Sequence, residues 1–330
     1  FYNWFAANIG IMGFVFGAMI VSYHLSFFQA IIASLVGALS FAVPGWVAMI
    51  GQKEGVTTFK LSRAAYGTHG NKIPNAIAWF NMVGWLAVNV ITGTLLLVSL
   101  FSIINVEKSS VTTAVALVIF GGLVVLSGLL KEDTLAKIQT WLSWIFGILT
   151  VLILVLFLLK AKWQEAFSLP SGSWITGVLP AVSIVAAGSG ISWSMAAADW
   201  GAYVTKKTKP SATFWNTTMG GAVPLFVLMA GGVMLSTIEP SLATTGDPFG
   251  VMYSALPTWI GPIYFLVAAG GLIPQCIISF RSARINLATI GINVTQRTSL
   301  MIHGAIVLAL PIYVLFISGN FLSNFELFLN

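Results

Sequence analysis

Charge is scarce in this chain. Asp, Glu, Lys and Arg make up only 7% of its 330 residues against 58% apolar residues, and the mean hydropathy of +0.94 excludes a soluble globular domain. Cysteine occurs once, so no intramolecular disulfide can form, and Cys276 is expected to pack inertly in the eighth membrane span. Histidine occurs three times: His24, His69 and His303 fall in or beside different connections or a separate span. The nine acids are scattered through loops, except Asp199 and Glu326. An HExxH pair, a nucleophile elbow, a phosphate loop and a metal-ligand cluster are all missing, which argues against an enzyme and against a resident metal or cofactor. The chain opens on an apolar run without Met and stops in mid-pattern at NFELFLN, so it reads as a trimmed piece of a longer polypeptide with no signal peptide to interpret.

Apolar length is what the chain has in abundance. A helix needs about 20 mainly apolar residues to cross the hydrocarbon core. Such stretches recur near 1–23, 27–50, 74–104, 111–129, 137–159, 174–203, 211–236, 257–293 and 299–318, with a tenth span beginning at 320. Several exceed one bilayer thickness and must tilt, break or protrude. The longest polar connection, 51–72, is too short for a soluble domain, so residues 1–330 are expected to form a single transmembrane domain. Loops after even-numbered spans carry Lys53, Lys60, Arg63, Lys72, Lys131, Lys137, Lys206, Lys207, Lys209 and Arg297, whereas loops after odd-numbered spans carry only Lys108, Lys160 and Lys162. The positive-inside rule then places the even loops and the N-terminal side in the cytoplasm, with the chain in a cell (plasma or inner) membrane. The net charge of +6 reflects this topology and implies no nucleic-acid partner.

The first and sixth spans are dense in Gly, Ala, Ser and Asn, as WFAANIGIMG and VAAGSGISWSMAAAD show. Small residues permit close helix packing, but they also suit interrupted helices that expose backbone groups to a solute at the bilayer midplane. First and sixth are the positions expected of five helices repeated in inverted topology, which favours interruption. In the third span, Trp85 and Asn89 stand four residues apart and share a helix face. An aromatic plate beside an amide suits a flat, hydrogen-bonding ring; the alternative is an interfacial tryptophan and a helix-to-helix amide bond. In the eighth span Gln275, Ser279, Ser282, Asn286, Thr289 and Asn293 fall within an arc of about 80°, as a face lining a cavity or as glue to neighbouring helices. Arg281 and Arg284 lie roughly opposite the centre of that stripe. An arginine at such depth must find an acid, carbonyls, water or the interface, and the one acid in a neighbouring span at comparable depth is Asp199, a candidate buried partner for Arg284.

SYHLSFFQAIIASLVGA, VTTFKLSRAAYGTHGNKIP, VGWLAVN, SWSMAAADWGAYV and INLATIGI, in this order and spacing, resemble the nucleobase and cation symporter family, specifically its cytosine and purine permeases. The resemblance runs essentially end to end. It implies a LeuT-type all-α membrane bundle: a five-plus-five inverted repeat, 1–160 and an incomplete 174–330, with broken first and sixth helices. It also implies Na⁺- or H⁺-driven uptake of a nucleobase or related heterocycle. WFAANIG resembles the stretch whose backbone carbonyls bind the cation, which points to Ala6 and Ile9, with Gly10 beside the substrate. Trp85 matches the stacking aromatic, Asn89 the amide one turn on, and Asn286 the eighth-helix amide that contacts substrate.

This sequence departs from the family pattern in three places. The second stacking aromatic aligns with Gly190, so either Trp193 takes over from one turn away or the ring is sandwiched on one side only. The hydroxyl pair that completes the sodium site in sodium-coupled members aligns with Phe280 and Arg281, and a guanidinium repels Na⁺. The arginine that follows the sixth-span aspartate by three residues is here Ala202. The expectation is therefore an alternating-access importer of a neutral planar nitrogen heterocycle such as cytosine or a purine, proton-coupled or sodium-independent. Its partners are the substrate and the bilayer, with no obligatory protein partner. Alternatives are the same fold carrying an anionic or urate- or allantoin-like ring, sodium-coupled symport, or, in other classes, a channel component or a non-transporting sensor.

Overall fold

The first span breaks where its small residues are densest. The computed structural model describes residues 1–129 and 132–329, so Lys131 of the loop-cation pattern lies outside the described residues. Helix α1 (Tyr2–Asn8) stops when Ile9 leaves helical geometry (φ −84°, ψ 83°), and α2 (Met12–Val21) continues at a 59° bend. Ser26 closes a capping box with Gln29 ahead of α3 (Phe27–Leu39), satisfying amides that an apolar helix end leaves bare. With α4 (Ala42–Glu54), α3 makes one apolar stretch of 28 residues, which Gly55 ends at φ 70°, a conformation that side chains resist. The polar connection that follows is not structureless: it holds the short helices α5 (Thr58–Leu61) and α6 (Arg63–Gly70).

Helix α7 (Lys72–Phe101) is the third span, α8 (Ser110–Ser127) the fourth, and α9 (Glu132–Lys160) holds the fifth. After α10 (Trp163–Ser168) comes the sixth span, and here the structure corrects the expectation of a break. A π-turn at Trp174–Val178, α11 (Leu179–Ala186), a second π-turn at Ala187–Ile191 and α12 (Ser192–Gly201) form one continuous helical span. At Ala186, Ala187, Ile191 and Ser192, φ stays between −63° and −60° and ψ between −44° and −41°. A π-turn accommodates an extra residue without freeing the chain from the helix. The glycines serve packing instead: a Cβ on Gly188 would fall 2.5 Å from the Phe16 ring, and one on Gly190 would fall 2.2 Å from Ser40 Oγ.

The seventh span is α13 (Pro210–Ile238). Helix α14 (Pro248–Ala255) is a separate element, so the eighth span, α15 (Gly261–Thr289), is shorter at both ends than the expected 257–293. Asn293 therefore lies beyond the helix, exposed, and drops out of the polar stripe. Helix α16 (Gln296–Ile312) runs through a π-turn to Ser318 as the ninth span, and α17 (Phe321–Leu329) begins the tenth. Among the described residues, eight helical stretches, and up to nine with the bent pair α1 and α2, are long and apolar enough to cross a membrane. Every regular element among the described residues is helical.

The described residues fall into two compact units. The first comprises Phe1–Ala78, Phe157–Ala243 and Leu329–Asn330; the second comprises Trp79–Leu156 and Thr244–Phe328. Each unit thus draws on both sequence halves. Within the first, α2 and α13 approach until their backbones touch: a Cβ on Gly17 would lie 2.2 Å from the Met229 carbonyl oxygen, and one on Gly232 would lie 2.2 Å from that of Phe14. Small residues allow this because association in lipid rests on van der Waals contact. Within the second, Met82 and Val83 of α7 and Ala283 of α15 form a buried cluster flanked by Trp79 and Ile306. Large apolar side chains such as Leu35, Ile148 and Val151 stay exposed, as a lipid-facing surface requires.

Candidate substrate site

Helix α7 places Trp85 and Asn89 about 40° apart on its circumference, one turn from each other. Trp85 is half-buried, and its ring is met edge-on by Phe325 and Phe328 of α17, with centroids at 5.8 and 5.7 Å. Asn89 is buried, beside the thiol of Cys276 on α15. Cys276 is wholly buried and free of any disulfide. Ser279, Ser282 and Asn286 follow it along α15, all buried, while Arg281 and Arg284 are half-buried. Ten residues separate Cys276 from Asn286, about 15 Å along the helix axis, so the amides of Asn89 and Asn286 lie at different depths. Phe280 is buried with its ring against the imidazole of His303 at 6.3 Å, so the position aligned with a sodium-site hydroxyl holds a packed phenyl group.

In the first unit the break between α1 and α2 changes the backbone bonding. The Ile9 amide still donates to the Phe5 carbonyl at 2.8 Å, but the Gly13 amide donates to Gly10 at 3.0 Å and the Phe14 amide to Ile11 at 3.1 Å. The four-residue ladder that would cover the Ala6 and Ile9 carbonyls does not cross the break among the described residues. These are the carbonyls that the family pattern assigns to a cation, and Gly10 lies half-buried between the two helices. Trp193 on α12 meets Trp4 of α1 edge-on at 5.7 Å, and Trp4 meets Phe41 at 6.2 Å.

Gly190 does not stand open to a ligand. Its free side is closed by the backbone of Ser40 and Phe41, where a Cβ would fall 2.4 Å from the Ser40 carbonyl carbon and 2.6 Å from the Phe41 nitrogen. The aromatic available in this segment is Trp193. Asp199 also has a role that the sequence did not show. Its Oδ1 accepts the Thr58 amide at 2.9 Å, while the Thr58 hydroxyl accepts the Ala198 amide at 3.2 Å, so the carboxylate fastens α5 to α12. Asp199 belongs to the first unit and Arg284 to the second.

Sequence reasoning missed the two phenyl rings on Trp85 and the bond between Trp79 and His303. The last had a signal, because Ser299 lies one helical turn before His303 in an apolar run and marks an imidazole held inside a span.

Long apolar helices, a first span broken at its middle, and polar side chains buried within two spans define a multi-pass membrane protein built like a secondary transporter. The chain belongs to the family of permeases for cytosine/purines, uracil, thiamine and allantoin, whose pattern matches residues 1–330. It is 26% identical over 347 residues to the putative purine-cytosine permease YxlA of Bacillus subtilis (strain 168), a match covering 99% of this chain and 69% of that protein. It is 25% identical over 304 residues to the purine-cytosine permease FCY21 of Saccharomyces cerevisiae, covering 88% of this chain and 53% of the permease; the chain spans about half the length of the yeast relative. Among solved structures, Mhp1, a nucleobase-cation-symport-1 family transporter in a closed conformation with bromovinylhydantoin bound, superposes with a TM-score of 0.72 at 15% identity, over 99% of this chain and 73% of that one. MhsT in complex with L-phenylalanine gives 0.62 at 12% identity, over 96% and 85%. These two likenesses establish the LeuT-type fold.

Proposed function

We propose that the chain is the transport core of a secondary active transporter that imports a neutral planar nitrogen heterocycle, cytosine, a purine or a related ring, by alternating access. The observation that carries this is the pairing of a half-buried Trp85 with a buried Asn89 one turn away on α7. Stacking on the indole supplies contact area, and the amide reads donors and acceptors on the ring edge. The names of the permeases that share the family support a nucleobase as the solute.

Transport is sodium-independent or proton-coupled. Phe280 offers no oxygen and Arg281 brings a positive charge where the family's sodium-coupled members place hydroxyls. The inverted repeat spans 1–160 and 174–330, in keeping with units that each take corresponding parts of both halves. The N-terminal side is cytoplasmic, since the cation-rich loops follow even-numbered spans. A second reading, an anionic or allantoin-like ring, is favoured by the half-buried Arg281 and Arg284.

Uptake of labelled cytosine and hypoxanthine into proteoliposomes, with external Na⁺ varied at constant pH, tests the proposal. Saturable uptake that ignores Na⁺ and is competed by neutral analogues is expected. A steep rise with Na⁺ refutes the coupling, and competition by anionic analogues alone selects the second reading.

A further inference from the structure

His303 lies in the ninth span with no solvent exposure, where an imidazole is tolerated only if its nitrogens are satisfied. Both are. The Trp79 indole N–H donates to Nε2 at 2.8 Å, and Ser299 Oγ lies 3.0 Å from Nδ1. An indole can only donate, so Nε2 must carry the lone pair, and the proton of the neutral ring sits on Nδ1 and is given to Ser299. The ring is also enclosed by Trp79 at 6.0 Å and Phe280 at 6.3 Å, which joins the third, eighth and ninth spans. Ile306, one turn along α16, continues the same packing against Met82, Val83 and Ala283.

We propose that His303 is a positioning residue that acts only in its neutral form. By holding Trp79 it sets the rotation of α7, and protonation of Nε2 releases that hold. Trp79 and Trp85 are six residues apart, about 120° around the helix, so the bond grips α7 on a flank away from the Trp85 and Asn89 face. An imidazolium has two donors and no acceptor, and Nε2–H against the indole N–H sets donor against donor. Among the described residues, no carboxylate on the helices that hold the ring compensates the charge. The titratable or charged side chains on the elements that carry the ring's contacts are Lys72 on α7, Tyr264, Cys276, Arg281 and Arg284 on α15, and Arg297 on α16; α8, which packs against α15 and α16, carries none. No carboxylate is among them. The positioning role rests on the reading of Trp85 and Asn89 as substrate residues, but the hold itself does not.

The experiment therefore starts with a readout that needs no substrate. Thermal unfolding of the purified protein in detergent is compared at pH 7.5 and pH 5.0 for wild type, His303→Gln, His303→Ala and Trp79→Phe. Wild type is expected to lose more than His303→Gln on acidification, by about 1–2 °C. Gln keeps an acceptor for the indole and does not titrate, so it restores stability at pH 7.5, whereas Ala does not. Trp79→Phe removes the donor and with it the extra acid sensitivity. Equal acid sensitivity in wild type and His303→Gln overturns the proposal; if His303→Gln does not fold, equal sensitivity in wild type and Trp79→Phe does so. With cytosine as probe, wild-type affinity at pH 5.0 should fall severalfold and that of His303→Gln should not. A protein that binds no nucleobase yet shows the unfolding pattern refutes the substrate reading and leaves the hold standing.

Discussion

Replacing Asp199 separates two accounts of a carboxylate that is 7% exposed inside the first unit. Its Oδ1 accepts the Thr58 amide at 2.9 Å, at the first position of α5. A hydrogen bond to a charged group contributes about 1.5–3 kcal/mol, and a neutral one about half that. Asp199→Asn keeps an acceptor in place and should cost about 1 kcal/mol; Asp199→Ala removes it and should cost about 2 kcal/mol, since Thr58 is only half-buried and water recovers part of the loss. On a protein of this size that is a drop in melting temperature of about 3 °C for Ala. The control is Thr58→Pro. Proline lacks the amide hydrogen and is tolerated at the first helical position, and Thr57 already has the extended conformation (ψ 162°) that a following proline demands. In that background Asp199→Ala should lose at least about 1 kcal/mol of its effect. Unfolding of purified single and double variants, followed by tryptophan fluorescence, gives the coupling. Additivity within about 0.5 kcal/mol would refute the capping argument. Strong coupling between Asp199→Asn and Arg284→Met would instead support the buried ion pair considered from the sequence.

Three other outcomes are expected. Trp85→Ala should weaken cytosine or hypoxanthine binding by about 1–3 kcal/mol, roughly 5- to 150-fold, while Trp85→Phe retains most of it; wild-type affinity in Trp85→Ala, measured by equilibrium binding, means that the indole only packs against Phe325 and Phe328. Gly190→Ala should destabilise the protein by about 1–3 kcal/mol with no gain in affinity, because the new methyl meets the Ser40 backbone; a tighter-binding Gly190→Phe variant would show that this face is open to the ligand after all. Phe280→Ser combined with Arg281→Thr restores the hydroxyl pair and should introduce a Na⁺-dependent thermal shift that wild type lacks; a wild-type shift of the same size rules out Arg281 as the reason for sodium independence.

The sequence by itself determined the spans. Bilayer thickness acts on local apolar length, so the limits of nine spans could be read within a few residues. Helix periodicity likewise put Trp85 and Asn89 on one face, because that relation needs only the backbone of one element.

Tertiary structure decided what composition left ambiguous. Gly, Ala and Ser in the sixth span permit either an interruption or a close contact, and the choice is made by Phe16 pressing on Gly188 and by the Ser40 backbone lying on Gly190. It also chose partners. Thr58 reached Asp199 across 141 residues, and Trp79 reached His303 across 224. A buried polar group must find a hydrogen-bond partner, but its own sequence neighbourhood states only that need. Which group answers it depends on how helices distant in the chain come to lie side by side.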